Sequence, residues 1–131
     1  MSSPVMKFNN YMFNNFIQDF EDVFPDNVDI ATAKDALMTL RRANPKLIPM
    51  IWKSYIVSKY INVIQRGNIQ EFVEIDYLSD IRQMTDDTVV VSKIMEAINR
   101  FKEPIKQMNE EDQRKTMMNI QMLTKLALNC Q

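Results

Sequence analysis

The chain has 131 residues, 46% apolar and 25% charged, which suits a single domain able to bury a core of its own. It contains no histidine, one glycine, one cysteine and a net charge of −1. Those counts exclude histidine-based hydrolysis, the usual zinc sites, glycine-rich phosphate loops and an intramolecular disulfide, and they leave no overall basic excess of the kind that nucleic-acid binders show.

In chain order, residues 1–5 read as a tail. A first helix is predicted from about Met6 to Phe24. Met12, Phe13, Phe16, Ile17, Phe20, Val23 and Phe24 fall within an arc of roughly 140° at 100° per residue. Asn14, Asn15, Gln18, Asp19, Glu21 and Asp22 lie opposite, and Pro25 ends the helix. Asn27 or Asp29 caps a second helix that reaches about Ala43, with Ile30, Ala33, Ala36, Leu37, Leu40 and Ala43 on one face.

The third helix is the expected centre. Asn44 and Pro45 open it, and Gly67 is placed where a left-handed C-terminal cap is wanted. Between them Leu47, Ile48, Ile51, Trp52, Tyr55, Ile56, Val57, Tyr60, Ile61, Val63 and Ile64 cover most of the circumference, the mark of a buried helix. Lys53, Lys59 and Arg66 interrupt the run, so it does not read as a membrane span. Residues 68–84 are irregular, with a possible short helix after Asn68 and a possible extended run at Glu74–Leu78. Thr85, Asp86 and Asp87 are cap candidates for a fourth helix striped by Val90, Val91, Ile94, Met95, Ala97, Ile98 and Phe101. Pro104 breaks or kinks it.

Asn109 caps the last helix, which carries Glu110, Glu111 and Asp112 in its first turn and continues to about Leu128. Its apolar residues spread around the axis. Met118, Met122 and Leu126 form a stripe that can face the bundle. Met117 and Leu128 lie on a second side and Ile120 on a third. One bundle cannot easily cover all three, so Met117, Ile120 and Leu128 are candidate partner contacts, and the methionines suit an adaptable surface.

The expected fold is all-α: one compact bundle of about five helices over residues 1–131. Scarce glycine argues against tight β-hairpins. Charge comes in blocks, with net −4 over residues 1–40, +6 over 41–66, −5 over 67–90 and +2 over 91–131. The basic block makes Arg41, Arg42 and Lys46 candidate partner-binding residues. Two helices joined by a short turn also resemble helix-turn-helix proteins, but the second is mostly apolar and lacks residues that read base edges. Paired carboxylates at Asp86–Asp87 and Glu110–Glu111 sit at helix starts, where they offset the helix dipole. No catalytic, cofactor-binding or metal-ligating residue is singled out, and no enzyme activity is expected. Cys130 points to a reducing compartment, and the first residues do not read as a signal peptide, so secretion is not expected.

The runs Phe16-Ile17-Gln18-Asp19-Phe20, Phe24-Pro25-Asp26-Asn27-Val28-Asp29-Ile30 and Leu40-Arg41-Arg42-Ala43-Asn44-Pro45-Lys46-Leu47-Ile48 resemble small helical proteins of nucleocytoplasmic large DNA viruses. The resemblance covers roughly residues 8–66. It implies a virus-encoded, non-enzymatic minor capsid protein located in the virion or host cytoplasm, with capsid subunits as partners. The alternative is a small nucleic-acid-associated or regulatory protein that uses the basic block.

Overall fold

Local sequence signals set the helix ends seen in the computed structural model, which describes residues 3–76 and 89–130. The Ser3 side chain accepts the Met6 amide and caps α1 (Pro4–Tyr11). Ser3, Pro4 and Val5 therefore belong to the first helix and not to a tail. The rod continues through a π-helical segment, Met12–Ile17, into α2 (Gln18–Val23). Asn27 accepts the Ile30 amide and caps α3 (Val28–Ala43).

The third rod is not one regular helix. It comprises α4 (Leu47–Ile51), a second π-helical segment at Trp52–Val57, and α5 (Ser58–Arg66), with non-helical angles at Tyr60. Asn44 caps the entering turn by accepting the Lys46 amide. Gly67 ends the rod at φ 72°, a left-handed conformation that glycine adopts without steric cost. A Cβ there would stand 3.3 Å from Gln121 Nε2, which donates to the Ile64 carbonyl. Glycine thus serves both the cap and the close approach of the last helix.

After Gly67, Asn68 caps the short α6 (Ile69–Val73). α7 (Val89–Asn99) follows, and its expected caps at Thr85, Asp86 and Asp87 lie outside the described residues, as do Tyr77 and Leu78 of the possible extended run. The chain turns at Arg100 and Phe101 into α8 (Lys102–Gln107), which accommodates Pro104 in its first turn. Asn109 then caps α9 (Glu110–Leu128). The fold is all-α, 84% helical, with about five long helices and no strand among the described residues.

Two aromatic groups anchor the core. Phe16, Phe20 and Phe101 meet with centroids 4.7–5.1 Å apart, and Phe8 stands edge-on to Trp52 at 6.1 Å. Trp52 is 1% exposed, whereas Tyr55 is only partly covered. A π turn holds more residues than an α turn, so positions after Trp52 depart from the 100° count. The same slip follows Met12–Ile17, and Val23 is exposed rather than inward.

α9 packs against α1, both π segments, α4, α5, α6 and α8, so it shares the centre with the third rod. Its facing corrects the sequence expectation. Met117 and Ile120 are buried, while Met118 is 60% exposed and Met122 is also exposed. The buried stripe includes Thr116, Asn119 and Thr124, polar residues that hydrogen bonds make compatible with the interior. The Thr116 hydroxyl donates to the Asp112 carbonyl and the Thr124 hydroxyl to the Ile120 carbonyl. Counting only apolar side chains turned the helix the wrong way.

Candidate functional site

Two stretches of the chain contain cations and no carboxylate. Residues 41–66 hold six Lys/Arg, and residues 113–131 hold Arg114, Lys115 and Lys125. The fold brings them together. Trp52 Nε1 donates to Thr124 Oγ1 at 3.2 Å, Lys53 Nζ donates to the Cys130 carbonyl at 2.9 Å, and Gln121 Nε2 donates to the Ile64 carbonyl at 3.0 Å. The C-terminal half of α9 is thereby seated along the third rod. Lys53 also places a cation at the negative end of the α9 dipole. Burial pushes the Cys130 thiol up from its ordinary pKa, and Lys53 only partly offsets this.

An open groove of about 340 Å³ runs between α5 and the end of α9. Ile61, Ile64 and Leu128 give it an apolar lining, and Gln65, Gln121, Thr124 and Lys125 complete it. Leu128 is 51% exposed. Lys125 makes no ion pair among the described residues. A neighbouring hollow of about 350 Å³ is lined by Met50, Lys53, Ser54 and Cys130, with Met50 exposed. Apolar surface bordered by cations suits a partner that offers apolar side chains flanked by carboxylates.

The candidate residues separate. Leu128 lines the groove, whereas Ile120 is fully buried and Met117, 4% exposed, reaches the surface only at the edge of a separate hollow beside Gly67 and Arg114. Arg41 lies over the Phe13 ring at 4.9 Å and donates to Asn10, so its guanidinium is held against the first rod. Arg42 and Lys46 are exposed at the turn between α3 and α4. Arg66 is engaged by Glu71 at 2.5 Å, which holds that carboxyl below its ordinary pKa. Sequence reasoning missed Lys125 and Ile61 as groove residues. The absence of carboxylates after Asp112 was the available signal.

The opposite end of α9 differs in character. Asp19, Asp22 and Asp112 line a cleft of about 160 Å³ with Val23, Met108, Lys115 and Thr116. Tyr11 donates to Asn119 Oδ1 at 2.7 Å, and Asn119 Nδ2 donates to Asp19 at 2.8 Å. Burial, and then Asp19, raise the Tyr11 pKa, so this network is held by a neutral phenol. No group of three or more His, Cys, Asp or Glu suited to a metal occurs among the described residues, and no described helix is long and apolar enough to cross a membrane. Compared with protein-family models, curated proteins and solved structures, the chain matches none of them.

Proposed function

We propose that this chain is a non-catalytic interaction protein that packs the groove between α5 and α9 against a neighbouring protein subunit. The observation that carries this reading is Leu128, exposed at the rim of an apolar groove in a face whose two segments hold no carboxylate. Removing such surface from water favours association by about 25 cal/mol per Å², and Lys125 at the groove's edge selects orientation. The resemblance of residues 8–66 suggests the setting: a minor component of the virion shell of a large DNA virus, with capsid subunits as neighbours.

Arg42 and Lys46, exposed on the same carboxylate-free stretch, favour a second reading in which the partner is a nucleic acid. One comparison separates the two. Leu128→Asp should keep the circular dichroism spectrum and melting temperature of the parent, because the side chain is half exposed, yet should weaken co-sedimentation with shell proteins at least about tenfold. Arg42→Glu with Lys46→Glu should change it little. If the basic pair matters, Leu128 does not, and the chain binds DNA with a steep dependence on salt, the nucleic-acid reading replaces the first.

A further inference from the structure

The chain also carries a surface complementary to its own groove. Residues 19–29 contain Asp19, Glu21, Asp22, Asp26 and Asp29 and no Lys or Arg. They form all of α2 after Gln18, the turn into α3 and the first two residues of α3. Glu21 is paired with Lys34 and Asp29 with Arg100. Asp19 accepts from Asn119. Asp22 and Asp26 are exposed and make no ion pair among the described residues. Two apolar side chains stand out beside them: Val28 is 76% exposed and Val23 38%. The turn therefore offers apolar side chains flanked by carboxylates, the chemistry that suits an apolar groove edged by the exposed Lys125.

The two surfaces lie at opposite ends of α9. Asp112, near its start, lines the cleft with Asp19, Asp22 and Val23, and Leu128, at its end, lines the groove. Sixteen residues separate Asp112 from Leu128, about 24 Å at 1.5 Å per residue. A molecule's acidic turn cannot reach its own groove, but it can reach that of another copy. The contact uses different patches on the two copies. The pair then keeps one free groove and one free turn, and association closes into a ring or continues as a filament.

We infer that the occupant of the α5–α9 groove is the acidic turn around Asp22, Asp26 and Val28 of a second copy, so that the chain assembles head to tail. This rests on the groove being a protein-binding surface, and it names the partner.

Sedimentation velocity of the full chain over a concentration series tests it. The sedimentation coefficient should rise with concentration, and the rise should shrink as salt screens the exposed charges. Lys125→Glu alone, and Asp22→Lys with Asp26→Lys, should each weaken association at least about tenfold, since each sets like charges against one another. Circular dichroism checks that both variants fold. The decisive sample is their mixture. The intact turn of the Lys125→Glu chain still fits the intact groove of the other variant, and the two altered surfaces now carry opposite charges, so the mixture should regain the association that neither variant shows alone. A parent chain that stays monomeric throughout overturns the inference, as does association unaffected by either variant or a mixture that associates no better than each variant alone. An acidic amphipathic helical peptide separates this failure from failure of the groove. If it binds the parent chain and not Leu128→Asp, the groove remains a protein site with another occupant. If it binds neither, the groove reading fails as well.

Discussion

Replacing Trp52 with alanine should lower the free energy of unfolding by about 3–5 kcal/mol. The indole is 1% exposed, packs edge-on against Phe8, and donates its N–H to Thr124. The replacement removes these contacts together and leaves a void between the first rod, the third rod and α9. It also deprives a buried hydroxyl of a donor, although Thr124 still donates to the Ile120 carbonyl. Urea denaturation followed by circular dichroism reads the effect as a lower midpoint at similar slope. A loss under about 1 kcal/mol would mean that Trp52 does not join these elements.

Ile120→Asp should be more damaging still. Ile120 is fully buried on α9, and a carboxylate there would have neither water nor a cation to satisfy it. The loss of the aliphatic contacts alone should cost at least about 2–5 kcal/mol, and the buried charge adds to that. The chain should fail to fold, or should fold only at acidic pH, where the new carboxyl is protonated. Met118→Asp, two positions earlier on the same helix, should change stability by less than about 0.5 kcal/mol because Met118 is exposed. The pair reads the facing of α9 directly: equal tolerance of both substitutions would contradict the observed packing.

Helix ends were legible because single residues encode them. Asn27, Asn68 and Asn109 each accept a backbone amide in the first turn, as their position before an apolar run implies. Gly67 adopts the left-handed cap for the reason that singled it out. Less legible was the phase within helices. The π segments at Met12–Ile17 and Trp52–Val57 break the uniform 100° step, and no cap or breaker marks them. In α9, the polar residues Thr116, Asn119 and Thr124 occupy the inward face because their hydrogen bonds are met there, while Met118 and Met122 stay outside.

The groove was only partly legible. Leu128 was singled out, but Ile61 and Lys125 come together through tertiary packing that no local pattern specifies. The charge blocks were visible in the chain. Their meaning became clear once residues 121–130 were seen to lie along residues 52–64, while Lys115 lines the acidic cleft at the other end of α9.

The most direct test of the groove as a protein-binding surface is site-specific photo-cross-linking from full-length chains carrying the reactive group at position 128 or, as a comparison, at position 42. In the intact assembly, position 128 should yield a cross-link to a protein peptide that contains Asp or Glu, located by mass spectrometry, and position 42 should yield far less. Cross-links to nucleic acid at position 42, with none to protein at position 128, would contradict a groove built to hold a neighbouring subunit.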